Sequence, residues 1–521
     1  MSMFKFFLIL LSAMSIPAIV IGQKQAKKEI EKFAERNWIN QNYKLAAEQY
    51  EKLLQLEPKN VNYAYKFAVS NFLAGFNVDK SLKYIEPLIG TDKTYEDIPY
   101  WIGKMYMSNY QFNDAIDMFN TYLSKLNPNN EQAIDTKKHI NMCLSAIQLL
   151  NKPVNVQFEN LGTNINSSSN EFLPLIPTSE EFLIFTSDKR FDESAKMFDE
   201  NLYISYQDKD SWTLAKPLSY INTFDPEKGV GLSPDGKTLF VCGHFAKSYS
   251  DINVAIQKNK QFKFDPLNNI FSTLGNKLTN GASITEDGKT IYFSAVRNDS
   301  YGKSDIYVIK ILPNGQWSLP KNLGEIINTK EDEMYPQISP DGKVLYFASQ
   351  GHNSIGGFDI FVSYFNEITG EWTPPQNLGY PINSPNDEYS IAYSPNKRYA
   401  YISTVRKEGF GGSDIYKVTF NDIDAPLTII KGTLYSKQHN DSSLWKSTFG
   451  TPEITIYDNN KNIFGKYLYN FTLNRFVAAL PAGNYSISVK CSGFKEYTEN
   501  LTILDRSLYV PEIERTFTLI K

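Results

Sequence analysis

A unit of about 54 residues recurs five times in the middle of this 521-residue chain, and that recurrence restricts the fold more than any other feature. Asp followed by Ile returns at Asp251, Asp305, Asp359 and Asp414, and Asn201 before Leu202 fills the earliest copy. A second marker is a turn, Ser233-Pro234-Asp235-Gly236-Lys237. It returns as Thr285-Glu286-Asp287-Gly288-Lys289, as Ser339-Pro340-Asp341-Gly342-Lys343 and, degenerate, as Ser394-Pro395-Asn396-Lys397. Asp-Gly between two apolar runs is a hairpin signal because the tight turn needs a positive φ. The third marker, Leu-Gly…Ile-Asn, stands at Leu161 to Asn166, Leu323 to Asn328 and Leu378 to Asn383, with weaker copies from Leu218 and Leu274.

Each unit holds four short β-rich runs, for example Met334 to Ile338, Val344 to Ala348, Asp359 to Tyr364 and Trp372 to Leu378. Four-stranded antiparallel units repeated radially predict a β-propeller over residues 153–420, because that architecture leaves only short, protected sheet edges. Five marker sets predict five blades; six is less favoured, since every residue of the zone is already assigned. The run Val154 to Leu161 precedes the first inner strand, and the fifth unit ends at its third strand, Asp414 to Phe420. The early strand is therefore expected to complete the last blade.

The flanks differ in period. Residues 23–150 carry apolar residues at helical spacing with few Pro, which predicts an all-helical zone of about three hairpins and a closing helix from Glu131 to Leu150. Ile102-Gly103-Lys104-Met105-Tyr106, Ala115, Phe119 and Pro128, with an earlier Ala46, Tyr50 and Pro58, resemble the tetratricopeptide repeat. Residues 427–521 alternate apolar and polar through Ile429 to Tyr435, Glu453 to Tyr457, Phe476 to Leu480 and Tyr485 to Lys490, with a turn at Pro481-Ala482-Gly483-Asn484, as in a small β-sandwich.

Lys5, the mostly apolar stretch Phe6 to Ile21, and the small residues Val20 and Gly22 predict a secretion signal over residues 1–22, cleaved before Gln23. The stretch is interrupted by Ser12, Ser15 and Pro17 and falls short of the roughly 20 residues that span a bilayer. No membrane span is expected after cleavage. A net charge of -4 without a basic cluster argues against nucleic acid as a partner. Cys143, Cys242 and Cys491 lie in three different zones and predict free thiols rather than a disulfide framework. His139, His244, His352 and His439 are equally scattered, so no metal and no cofactor is expected.

The repeat residues Asp235, Gly236, Asp287, Gly288, Asp341, Gly342, Asp251, Asp305, Asp359 and Asp414 are expected to serve structure, because turn Asp side chains bond backbone amides. Glu171, Asp332, Glu333, Asp387 and Glu388 stand just before inner strands and are expected around one mouth of the ring. As repeat-equivalent groups they lack the unlike environments that a catalytic acid pair needs, so no catalytic residue is expected. Arg190, Arg297 and Arg406 follow the second strand of three blades and, with Glu333 and Glu388, are the expected partner-binding set.

Ser-Pro-Asp-Gly-Lys together with Gly-x-x-Asp-Ile-Tyr, repeated, resembles the PD40 group of WD40-like, TolB-type propellers. Lys431-Gly432-Thr433-Leu434, Phe476, Leu480-Pro481, Gly483, Tyr485 and Gly493-Phe494 resemble the carboxypeptidase regulatory-like, transthyretin-type domain. The order of signal, helical repeats, propeller and sandwich resembles the periplasmic PorE-type components of the Bacteroidetes type IX secretion and gliding apparatus. Those relatives usually continue into an OmpA-like domain and begin with a lipidated Cys, neither of which stands here. The resemblance implies a non-enzymatic periplasmic scaffold or adaptor, held near the outer membrane by other envelope proteins and not binding peptidoglycan itself. The rival expectation is a secreted propeller that binds or cleaves glycans.

Overall fold

The computed structural model describes residues 25–75, 77–90, 94–192, 197–208, 211–243, 252–265, 277–395, 397–423, 427–438, 441–503 and 512–521. The signal segment 1–22, His244, Asp251, Leu274, Asn396 and His439 lie outside them. No helix among the described residues is long and apolar enough to cross a membrane.

Among the described residues seven α-helices come first: α1 (residues 25–39), α2 (Tyr43–Leu56), α3 (Val61–Leu73), α4 (Val78–Ile85), α5 (Ile98–Ser108), α6 (Phe112–Leu123) and α7 (Glu131–Leu150). Asn60, Asn77 and Asn130 start α3, α4 and α7 by accepting from the backbone N–H groups of Tyr63, Lys80 and Ala133 at 3.1, 3.1 and 2.7 Å. These contacts satisfy amides that have no partner within the helix. Helices α5 and α6 approach closely because residue 103 is Gly; a Cβ there would stand 2.6 Å from the Phe119 ring.

The odd-numbered helices lie side by side and are tied by a ladder of tyrosines and carboxylates. Tyr63 donates to Glu31 at 2.9 Å, Lys66 to Glu35 at 2.8 Å, Tyr65 to Asp97 at 2.7 Å and Tyr100 to Asp135 at 2.7 Å. The partners are 31 to 35 residues apart in sequence, one helical hairpin each.

Five antiparallel sheets follow in chain order among the described residues. The first holds Glu171–Leu175, Phe182–Asp192 and Met197–Asp208 with two short edge strands; the second Glu227–Leu232, Thr238–Gly243, Ile252–Lys258 and Gln261–Phe264. The third holds Lys277–Ile284, Thr290–Val296, Asp305–Lys310 and Lys321–Asn322; the fourth Glu333–Ile338, Val344–Ser349 and Asp359–Asn366 with Glu371–Trp372 and Gln376–Asn377. In the fifth, Ile391–Tyr393, Tyr399–Thr404 and Asp414–Phe420 are joined by the earliest strand, Val156–Asn160. Val156 to Asn160 run antiparallel against Phe420 to Tyr416, so both ends of the zone meet in one sheet. The inner strands of sheets one to four meet in sequence, and the first also meets the fifth. The arrangement is propeller-like, with aromatic and β-branched residues packed between successive sheets.

The last zone is a pair of four-stranded sheets. One is built on Thr428–Gln438, with Asp441–Leu444 and Phe476–Leu480 antiparallel and Glu512–Ile520 parallel to it; the other orders Ile463–Tyr467, Glu453–Tyr457, Gly483–Lys490 and Tyr497–Ile503. Leu434, Trp445, Ile456, Phe476, Ile487 and Phe517 form the core.

Candidate functional site: a chamber between the helices and the ring

Two sets of repeated residues hold the sheets in shape. At the turns, Asp235, Asp287 and Asp341 accept from the Lys backbone two residues on at 3.0, 3.0 and 3.1 Å, and from Ser233, Thr285 and Ser339 at 2.6, 2.6 and 2.5 Å. Gly236, Gly288 and Gly342 take φ of 72°, 67° and 73°, a region that Gly enters without a Cβ penalty. At the third strands, Asp305, Asp359 and Asp414 accept from the loop amides of Tyr301, Ile355 and Phe410 and from the side chains of Asn322, Asn377 and Asn160, all at 2.6 to 2.9 Å. Those asparagines accept in turn from Asn328, Asn383 and Asn166 at 2.8 Å each.

The carboxylates that open the inner strands are equally engaged. Glu171, Glu333 and Glu388 are fully buried. Each accepts from a Ser or Thr four residues earlier, through both its backbone N–H and its hydroxyl, and from a second-strand hydroxyl, Ser187, Ser349 or Thr404. Glu227 repeats the contacts to Thr223. Burial pushes Glu388 up to about 8 and Glu333 up to about 7 against these hydrogen bonds. The expectation that Glu333 and Glu388 face a partner is therefore corrected: enclosed at 0% exposure, they anchor strands.

The arginines are held within their own neighbourhoods. Arg190 pairs with Asp199 at 2.8 Å and donates to the Thr223 carbonyl at 3.0 Å. Arg406 lies 3.3 Å above the centre of the Phe158 ring and donates to the Pro381 carbonyl at 2.9 Å, while Arg297 stands 5.5 Å over Tyr307 and 3.5 Å from Asp299. Arg406 thus clamps the earliest strand onto the closing sheet.

What the repeat does not explain is the residue just after each of these strand-opening positions. Pairing places Glu171, Glu227, Thr279 and Glu333 opposite Ser187, Gly243, Ala295 and Ser349, and the Glu388–Thr404 bond supplies the fifth equivalent. The next residues are Phe172, Lys228, Asn280, Met334 and Tyr389, and all five line one cavity of about 760 Å3. Its opposite wall comes from α5 and α7 through Tyr100, Lys104, Asp135, Lys138, His139 and Met142. Ligand cavities typically run roughly 300 to 1,000 Å3. Sequence reasoning passed over these positions because it searched for residues that recur, whereas here the signal is one chemically unlike residue beside a recurring one.

The helices sit on the ring through few contacts. Lys138 pairs with Glu331 at 2.7 Å and reaches Gln350 at 3.3 Å, Ser108 donates to Asn386 at 3.4 Å, and Ile355 inserts fully buried among Met107, Phe112 and Met142. Inside the chamber Tyr335 and Tyr389 pack edge to face at 5.6 Å, and Phe358 lies 5.3 Å from Tyr389. Burial pushes the Tyr335 phenol up to about 12 and raises that of Tyr389 well above its ordinary value, with Asp387 adding to the latter, so both stay protonated donors. Tyr389 donates to Asp387 at 3.0 Å. Lys228 is ion-paired with Glu200 at 3.1 Å; burial disfavours its charge, but Glu200 together with Tyr335 and Cys242 outweighs this and raises its pKa. His139 is pulled down to about 4 by burial and by Lys104, so its ring is neutral at physiological pH. Aromatic faces interleaved with carboxylates, amides and an ammonium form a surface able to stack on the apolar face of a sugar ring and to bond its hydroxyls.

No family model and no curated protein matches the chain. Solved structures do resemble it. A glycoside hydrolase aligns over 53% of this chain and 95% of its own at 10% identity and a TM-score of 0.37. A levansucrase of B. megaterium covers 51% and 87% at 14% identity and 0.32, and the Trypanosoma rangeli sialidase 68% and 91% at 9% identity and 0.29. These neighbours are named as enzymes and lend no support to the expected non-enzymatic scaffold, and the PorE-type resemblance gains no support from any family model.

Proposed function

We propose that this chain is an exported glycan-binding or glycan-cleaving protein whose ligand occupies the chamber between the helices and the ring. In this reading residues 1–22 direct export, 23–150 are tetratricopeptide-like repeats that roof the site, 153–420 are a five-bladed propeller and 427–521 a transthyretin-like sandwich. The observation that carries it is the divergence of Phe172, Lys228, Asn280, Met334 and Tyr389 at five equivalent positions around one cavity. A ring kept only for stability has no use for five different chemistries at one repeat position, whereas a site that must grip an asymmetric ligand does. Stacking by Phe172 and Tyr389 and hydrogen bonding by Asn280, Glu200 and Asp387 are the two interactions a sugar needs.

The test is a screen of the full chain against a library of plant, microbial and host oligosaccharides, with products followed by chromatography. Saturable binding of a glycan, with or without cleavage, is expected, and Tyr389→Ala is expected to weaken it about tenfold or more, the loss of roughly 1.4 kcal/mol or more of contact. Absence of binding across the library, or binding indifferent to Phe172→Ala and Tyr389→Ala in folded variants, contradicts the proposal.

A further inference from the structure

Four lysines line the chamber: Lys104, Lys138, Lys228 and Lys303. Three have carboxylates within ion-pair reach. Lys228 meets Glu200 at 3.1 Å, Lys138 meets Glu331 at 2.7 Å, and Lys303 lies 3.7 and 3.9 Å from Glu331 and Asp332. Lys104, on α5, has no ion pair or hydrogen bond among the described residues; its ammonium lies 5.8 Å from the ring centres of both Tyr100 and Trp101. The acids in its surroundings are already committed to neutral donors. Asp135 accepts from Tyr100 at 2.7 Å, with the neutral His139 ring beside it. Asp387 accepts from the Phe358 amide at 2.8 Å and from Tyr389 at 3.0 Å, and Asp188 accepts from the Asn170 amide and side chain at 2.8 and 2.7 Å.

From this we infer that the glycan taken by the chamber carries an anionic group, a carboxylate or a sulfate, and that Lys104 is the residue that pairs with it. The inference rests on the glycan reading of the same chamber and adds the substrate class. An ammonium drawn against two neighbouring aromatic rings loses hydration without gaining a counter-ion, a cost that an incoming anion offsets. Burial lowers the proton affinity of Lys104 and Lys138 adds to that, while Asp135 and Asp387 oppose the shift. Asp135 and Asp387 point their oxygens at Tyr and amide donors, which moderates their repulsion of a ligand anion. On an exposed helix face such a lysine is only a solvated charge. Here it roofs a chamber whose other lysines are neutralised by the protein.

Three probes of equal length separate the possibilities: an oligogalacturonate, a sulfated galactan oligosaccharide and a neutral manno-oligosaccharide. Each is titrated calorimetrically into the full chain, Lys104→Met and Lys104→Arg at low and physiological salt. The expected result is binding of one or both acidic probes at least tenfold tighter than the neutral one, loss of that advantage in Lys104→Met and its retention in Lys104→Arg. The carboxylate and sulfate arms show which anion the site prefers. Acidic and neutral probes bound alike by wild type, or an acidic preference that survives Lys104→Met, overturns the Lys104 assignment while leaving glycan binding in place. Binding of none of the three, together with a blank library screen, removes the glycan reading itself and this inference with it. Matching melting temperatures for wild type and Lys104→Arg guard against a folding artefact.

Discussion

Glu388 shows how a single residue couples the ring to pH. Its carboxyl is enclosed beneath the chamber and accepts from the Ser384 amide at 2.9 Å and from the Ser384 and Thr404 hydroxyls at 2.6 and 2.7 Å. Burial nevertheless holds its proton up to about 8, with Asp359 adding repulsion. A carboxyl whose folded pKa lies above its unfolded value binds its proton more tightly when folded. The resulting stability is complete below about pH 4.5 and drains away as pH rises through about 8. Glu333, pushed up to about 7, acts in the same direction. Melting temperature is therefore expected to fall by several degrees between pH 5 and pH 9, and Glu388→Gln, which mimics the protonated carboxyl, is expected to flatten that slope. A melting temperature that rises over this range would contradict the assignment. Asp305 bears the simpler prediction: Asp305→Ala strands the Tyr301 amide and the Asn322 side chain, each bonded at 2.7 Å, and should cost about 2 to 3 kcal/mol in denaturant unfolding.

At the scale of elements, closure is the feature most exposed to test. Val156–Asn160 supplies the fourth strand of the last sheet, and Phe158 lies under the Arg406 guanidinium. Deleting residues 153–160 should leave Asp414–Phe420 as an unpaired apolar edge, lowering the melting temperature by roughly 10 °C or causing aggregation, as scanning calorimetry and light scattering would report. An unchanged transition would show that the ring does not depend on this strand. The element order was legible because strands and turns obey short-range rules: Asp-Gly fixes a hairpin, and a strand left over at each end of a repeat array must pair. The destination of Arg190 and Arg406 was not legible. A loop arginine reads as free in sequence, and only folding brings Asp199 and Phe158 beneath it.

For the whole molecule, the helices act as the roof of a site whose floor is the ring, and Lys138 with Glu331 is the ion pair that spans the seam. Lys138→Glu places two carboxylates together there and should increase hydrogen exchange across α7 while leaving the sheets protected; unchanged exchange would show that the other contacts, Ile355 and Ser108–Asn386 among them, seat the roof without this ion pair. The chamber itself was hidden in the sequence because its walls come from positions more than 200 residues apart, and its floor from the residues that break the repeat. The account stands or falls on whether that chamber holds a sugar. The most direct measurement is calorimetric titration of a glycan found by screening into wild type and into the Phe172→Ala, Tyr389→Ala double variant, with both proteins shown to melt alike. The account predicts saturable one-site binding by wild type and a loss of about a hundredfold or more in the variant, equivalent to roughly 2.8 kcal/mol. Equal affinity in two equally folded proteins would place the ligand elsewhere and contradict it.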